Sequence, residues 1–341
     1  MKKHFLNLCA HLLWLGLVLW PIQVVFGQEQ FQQTQFIYSA FAINPAFSGV
    51  EDVINGHTGF KRMWAGLDDA PTNYYAGIQG SISSFKNAMS EKRTLRRSNE
   101  RFYKKLTNQK NALSHGLGTY LSFHKQGAFN KFSGYLSYAL IYGLSDDFKI
   151  SMGLGTQFTR QKFRQDFIVL NNPDDDDVYL NYLNGAGDMF GMNLNVGAMI
   201  YGKNLFFSYA IHQPMKITSN ANDNQVIDPG IFHYMIAGYN IIINHSFTLQ
   251  PSVLLQYNEN YELSQHYMAK VKYKNLFWLG SGYRVSDAIS AIIGFSSRNG
   301  LLFSYAYEYH VENIGYQSNG SHEVTIGMRI FRDNVSQPFL W

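Results

Sequence analysis

Near its C-terminus the chain reads Ser-Asn-Gly-Ser-His-Glu, which places Ser318, Ser321, His322 and Glu323 close together. A hydroxyl, an imidazole and a carboxylate are the parts of a nucleophilic hydrolase, in which the imidazole takes the hydroxyl proton as the oxygen attacks a carbonyl. If the segment is a strand the order is wrong for that chemistry, because adjacent side chains leave opposite faces and Ser321 turns away from His322. The chain has no Gly-x-Ser-x-Gly elbow. None of its 11 histidines stands at His-x-x-x-His or His-Glu-x-x-His spacing, so no zinc motif is present. Asp174 to Asp177 form an acidic run without the alternate ligands and central glycine of a calcium loop. Gly-Leu-Gly-Thr occurs at 116–119 and again at 153–156 with no phosphate-loop continuation, which fits glycines on a crowded face. The sequence therefore assigns no catalytic residue, no metal ligand and no cofactor, and the chain reads as a non-enzyme.

The first 27 residues read as a secretory signal peptide: Lys2 and Lys3 precede an apolar run from Leu12 to Leu19, Pro21 and Gln23 close it, and Gly27 offers a small residue for cleavage. The single cysteine, Cys9, lies inside that signal, so export is expected without a disulfide framework. No later stretch approaches the length of a spanning apolar helix.

The elements that must position the remaining residues alternate with a period of two. In Leu301–Val311 the residues Leu301, Phe303, Tyr305, Tyr307, Tyr309 and Val311 share one face, and Ser304, Ala306, Glu308 and His310 the other. The same division holds from Phe132 to Tyr142, against Ser133, Ser137 and Ala139, and from Met192 to Ile200, against Asn193, Asn195 and Gly197. About fourteen strands of roughly ten residues are expected between 53 and 331, the length that crosses a bilayer when tilted. Tight turns are expected at 144–147, Gly202-Lys203, Asn244-His245, Lys274-Asn275, Ser286-Asp287 and 298–300, all but one on the side of the membrane where both chain ends would lie. Trp64, Tyr201, Tyr257 and Phe331 stand at strand ends, where interfacial girdles belong. The predicted fold class is all-β, a transmembrane antiparallel β-barrel of about fourteen strands in the outer membrane, its apolar face toward lipid. A soluble β-sandwich or lipocalin-like barrel also alternates, but a small closed soluble barrel holds fewer strands.

Other segments break this pattern. Residues 28–52 form an N-terminal segment whose Phe31, Phe36, Tyr38, Phe41 and Phe47 need burial, either at the periplasmic mouth or inside the lumen. A basic insert at 84–114 carries nine Lys/Arg and two Glu within 86–110, a local charge of +7 (9 − 2). It reads either as a docking arm for a periplasmic partner or the anionic inner surface, or as a solvated loop. Residues 171–188 read as a hydrated acidic loop on the outer side, and 332–341 as a C-terminal tail. Lys270, Lys272 and Lys274 share a face expected to point into the lumen, where they fill or wet the interior or line an anion path.

The export signal, Gln33–Gly49 (QTQFIYSAFAINPAFSG), Lys61–Thr72 (KRMWAGLDDAPT), Phe277–Phe295 and the closing GSHEVTIGMRIF resemble, in order and spacing, the PorP/SprF family of type IX secretion system outer-membrane proteins of Bacteroidota. Asn44, Pro45 and Gly49 are similar to the family's Asn-Pro-Ala-x-x-Gly start, and Trp64, Gly66, Pro71 and Thr72 to its Trp-x-Gly…Ala-Pro-Thr loop. Trp278, Gly280 and Arg284 resemble its late hairpin, and His322 and Glu323 the start of its last strand. The resemblance implies partners rather than a substrate: outer-membrane lipid, a cargo protein with a C-terminal sorting domain, such as an adhesin of gliding motility, and periplasmic or lipoprotein components of the same system. Nucleic acid has no place in such a setting. The rival reading is a passive channel or hydrophobic-solute transporter, with the lysine face as its selectivity element.

Overall fold

The computed structural model describes residues 33–51, 53–84, 113–145, 147–164, 180, 189–219, 230–297, 299–311, 315 and 317–330. The signal peptide, Phe31, nearly all of the basic insert, the acidic run, Phe331 and the tail lie outside the described residues.

The strands are β1 (Ile54–Arg62), β2 (Thr72–Ser81), β3 (Leu113–Gln126), β4 (Phe129–Gly143), β5 (Phe148–Phe163), β6 (Met189–Gly202), β7 (Leu205–Ser219), β8 (Phe232–Tyr239), β9 (Ile241–Ile242), β10 (Phe247–Asn258), β11 (Tyr261–Tyr273), β12 (Phe277–Arg284), β13 (Ala288–Ser296), β14 (Leu301–His310) and β15 (Ser321–Ile330). Every neighbouring pair is antiparallel, and β1 pairs with both β2 and β15, which closes the sheet. β8 and β9 both pair with β10 and make one crossing, so the wall is a closed 14-strand barrel. Closure leaves no strand edge unpaired, the requirement for a sheet that sits in hydrocarbon.

The alternation sorts side chains as the pattern demands. Along β14, Leu301, Phe303 and Tyr309 are 52%, 50% and 48% exposed, whereas Ser304 and Ala306 are fully buried and Glu308 and His310 nearly so. On β4, Phe132, Leu136, Tyr138, Leu140 and Tyr142 face out, and Ser133, Ser137 and Ala139 face in. Tyr201 departs from its expected place. It is buried with Met199 on the inner face of β6, because the exposed Ile200 fixes the phase of that strand. Trp64 also turns inward, toward His310, whereas Tyr257, 50% exposed at the end of β10, stands where a girdle would.

One end of the barrel, here the turn end, is where β1 begins and β15 finishes. Its short connections follow β4, β6, β9, β11 and β13, as the turn chemistry anticipated. Lys274 and Asn275 both have positive φ, 49° and 53°, the left-handed pair of a type I′ hairpin. The opposite, loop end holds the longer connections, together with tight turns at Gly127-Ala128 and Glu259-Asn260 that strand ends hid in the sequence. The register slips once between β6 and β7, at Gln213 (φ 65°), a bulge that also accommodates the Pro214 backbone in a strand.

Inside the wall lies the N-terminal segment. It contains a single helical turn, α1 (Ala40–Ile43), and a 3-10 turn at Pro45–Phe47. The Asn44 side chain accepts a hydrogen bond from the Ala46 amide (2.9 Å), and Pro45 sits at the first position of the turn, where a missing N–H costs nothing.

Candidate functional site

The segment from Gln33 to Gly49 is a plug, and its aromatic residues are its anchors. Phe36, Tyr38, Phe41 and Phe47 are each at most 3% exposed. Phe47 meets Phe206 edge-on with centroids 5.8 Å apart, Phe36 meets His266 at 5.2 Å, and Tyr38 meets Trp278 at 6.5 Å. Burial of such side chains is worth about 1.5–3 kcal/mol apiece, the force that holds the segment off water.

Glycines on the inner face of the wall let the plug backbone come close. A Cβ on Gly153 would stand 2.2 Å from the Ala46 nitrogen, one on Gly116 only 1.9 Å from the Ser48 carbonyl oxygen, and one on Gly197 2.0 Å from Asn44 Oδ1. The repeated Gly-Leu-Gly-Thr thus supplies part of a docking track on β3 and β5. Polar groups then fix the register of plug against wall. The Asn44 amide donates to the carbonyls of Ala198 (3.3 Å) and Tyr209 (3.2 Å), Ser151 Oγ donates to the Ala46 carbonyl (2.7 Å), and the Gly49 amide donates to Gln79 Oε1 (2.8 Å). His212 bonds to the Ile43 carbonyl, and Ser48 Oγ and Ser137 Oγ lie 2.7 Å apart. Nearer the loop end the Thr34 amide donates to Glu323 Oε2 (2.8 Å), whose other oxygen accepts from Tyr75 (2.9 Å). Replacing Asn44 with Ala removes both wall contacts and the cap, and is expected to lower stability by about 1–3 kcal/mol. Urea unfolding of the detergent-solubilised barrel checks it.

A buried charge cluster occupies the inner wall toward the loop end. Lys61 Nζ of β1 lies 2.7 Å from Glu308 Oε2, and Arg284 of β12 lies 2.6 Å from Glu308 Oε1 and 2.5 Å from Asp287 Oδ2. The side chains of Lys61, Glu308 and Arg284 are at most 4% exposed. Asp287 Oδ1 also lies 2.9 Å from His310 Nδ1, and His310 Nε2 lies 2.8 Å from Ser321 Oγ. The Trp64 amide donates to the same Ser321 oxygen (3.1 Å), and Ala65 exchanges backbone hydrogen bonds with Gly320 (2.7 Å) and Asn319 (2.6 Å).

The sequence-predicted residues are thereby distributed over two levels. Asn44, Pro45 and Gly49 lie in the plug toward the turn end. Trp64, Gly66, Pro71 and Thr72 form or flank the loop after β1, which folds onto the start of β15, with Gly66 (φ 96°) against Asn319. Arg284 enters the charge cluster, Trp278 and Gly280 face inward beside Tyr38 and Lys270, and Glu323 ties the wall to the plug. His322 faces outward, its Nδ1 2.7 Å from the Tyr305 hydroxyl, so Ser321 and His322 do part company. Lys270 and Lys272 are buried on the inner face, Lys270 over the Tyr38 ring at 5.1 Å. Lys274 is a correction: strand β11 ends at Tyr273, and Lys274 sits exposed in the turn. Lys61, Glu308 and His310 had no role in the sequence reading. Their signal was an ionisable residue at an inward position of a strand.

A closed antiparallel wall with an aromatic outer face and a polar, packed interior defines a transmembrane β-barrel of the outer membrane. The particular family follows from the chain itself. Residues 25–328 match the family described as type IX secretion system membrane protein PorP/SprF, and the chain belongs to that family. It is an outer-membrane component of that secretion system. No curated protein matches it. Among solved structures it is similar to CdiB from Acinetobacter baumannii (8% identity, 82% of this chain and 60% of that one, TM-score 0.38). It is likewise similar to the translocator domain of the autotransporter NalP from Neisseria meningitidis (10%, 86% and 93%, 0.37). A TodX mutant described as a monoaromatic hydrocarbon channel gives 9%, 85% and 92%, with a TM-score of 0.43.

Proposed function

We propose that this chain is a plugged scaffold that aids the export or surface attachment of cargo, such as an adhesin of the gliding-motility type, by binding. The observation that supports this reading is the plug. Gln33–Gly49 is bonded to the wall at two depths, through Glu323 near the loop end and through Gln79, Ser137 and Ser151 nearer the turn end. A diffusion channel needs a wet path, whereas Lys270 and Lys272, its expected selectivity element, are only 3% exposed, with Lys270 against the Tyr38 ring. The turn end, where β1 begins and β15 finishes, would face the periplasm. The basic insert leaves β2 and rejoins β3 at that same end, in reach of periplasmic or lipoprotein components. Cargo with a C-terminal sorting domain would meet the loop end.

A clean deletion strain, compared with its parent by quantitative proteomics of the cell surface and culture fluid, tests the role. Loss of one large surface protein is the outcome expected of a dedicated attachment partner, and loss of many sorted cargoes that of a core component. An export profile unchanged from the parent would overturn the proposal and return the channel reading.

A further inference from the structure

We propose that Ser321, His310 and Asp287 form an occluded acyl-transfer centre at the loop end of the lumen, with carboxylic esters as its substrate class. This goes beyond the cargo-binding role and does not depend on it. Two strands and a turn assemble the centre. Ser321 opens β15, His310 closes β14, and Asp287 lies in the turn between β12 and β13. Ser321 Oγ stands 2.8 Å from His310 Nε2, and His310 Nδ1 stands 2.9 Å from Asp287 Oδ1. The two imidazole nitrogens thus serve different partners, as a proton relay requires: one faces a hydroxyl, the other a carboxylate that fixes the tautomer. Arg284 holds the second oxygen of Asp287 at 2.5 Å, so the orienting carboxylate is itself oriented.

The centre is covered by the loop after β1. Ser321 is 1% exposed and His310 2%, and the Trp64 ring lies edge-on to the His310 ring at 6.2 Å. That cover is held at a cost. Trp64 and Asp69 take positive φ, 48° and 54°, and the buried indole nitrogen of Trp64 has no hydrogen-bond partner among the described residues. Rotation of the Trp64 ring off His310 uncovers Ser321 while the Trp64 backbone stays in place, its amide 3.1 Å from Ser321 Oγ and placed to donate to an oxyanion.

The step balances within these groups. Ser321 Oγ bonds to the ester carbonyl carbon as its proton passes to His310 Nε2. The carbon–oxygen bond to the alcohol then breaks, and His310 returns the proton to the leaving oxygen. Water attacks the acyl-serine by the same relay and releases the acid.

Purified full-length barrel is incubated with a biotinylated fluorophosphonate, and the modified residue is mapped by mass spectrometry. Labelling of wild type at Ser321 is expected, faster by about tenfold or more in Trp64→Gly, in which the cover is thinned. His310→Gln is expected to slow it by about a hundredfold, the worth of a lost general base. Hydrolysis of p-nitrophenyl acetate should follow the same order. Heat-dependent migration on gels reports that each variant is a folded barrel, and mapping on wild type needs no variant at all. Absence of label at Ser321 in both wild type and Trp64→Gly would overturn the proposal. So would labelling indifferent to His310→Gln in a folded barrel, since the three hydrogen bonds would then only pin the loop.

Discussion

Replacing Glu308 with Gln should destabilise the barrel by about 3–5 kcal/mol, the usual cost of removing one partner from a buried ion pair. Glu308 contacts both Lys61 (2.7 Å) and Arg284 (2.6 Å), and the Lys61 side chain is fully buried. Without it the buried Lys61 of β1 and Arg284 of β12 both lose the carboxylate that lies between them. Asp287 holds Arg284 at 2.5 Å. The measurement is the urea midpoint of the barrel refolded in detergent, read by loss of heat-dependent gel migration. A companion variant separates charge from packing. Exchanging Lys61, Arg284 and Glu308 together for Met, Met and Leu should recover most of the loss, because an apolar cluster of similar volume carries no desolvation penalty. A single variant as stable as wild type would show that water already reaches the cluster.

Much of this architecture is legible from period-two alternation, because lipid outside and a crowded interior impose opposite demands on neighbouring residues. The phase of each strand followed wherever three or more outward residues agreed. Tyr201 shows how that logic is lost when a strand end is read by residue type rather than phase, since Ile200 beside it already points to lipid. The need of the N-terminal aromatic residues for burial was legible too, since no strand carries them. What the sequence hides is lateral register. Ser321 and His310 meet because β14 and β15 pair Glu308 with Ser321, which brings His310 to the rim beside it. The connection between those strands, 311–320, is too long for turn chemistry to fix that pairing. Lys61 and Glu308 are hidden for the same reason. Each is an ordinary inward charge until β1 closes on β15 and puts Lys61 opposite Glu323, with Glu308 one strand further.

The second large effect concerns the docking track. In a strand, Gly to a bulkier residue normally costs little or even helps, since glycine weakens strands. Gly153 and Gly116 should behave in the opposite way. A Cβ at either site meets plug backbone, the Ala46 nitrogen at 2.2 Å or the Ser48 oxygen at 1.9 Å, and backbone cannot rotate aside as a side chain would. Overpacking costs about 1–3 kcal/mol per site, so Gly116→Leu combined with Gly153→Leu should raise the undocked fraction of the plug by about a hundredfold or more. The wall itself has no reason to fail, because its strand pairings are untouched. Two readouts follow from an undocked plug in an intact wall: protease cleavage within 33–51, and discrete conductance steps in planar bilayers where wild type is silent. Gly134→Leu is the control, an exchange on β4 whose new Cβ finds only the Leu121 side chain at 3.5 Å, and it should change neither. If the double variant stays silent and resists protease while folding normally, the plug is held elsewhere than on this track. If wild type already conducts, the lumen holds a path past the plug, and the binding role loses its structural support.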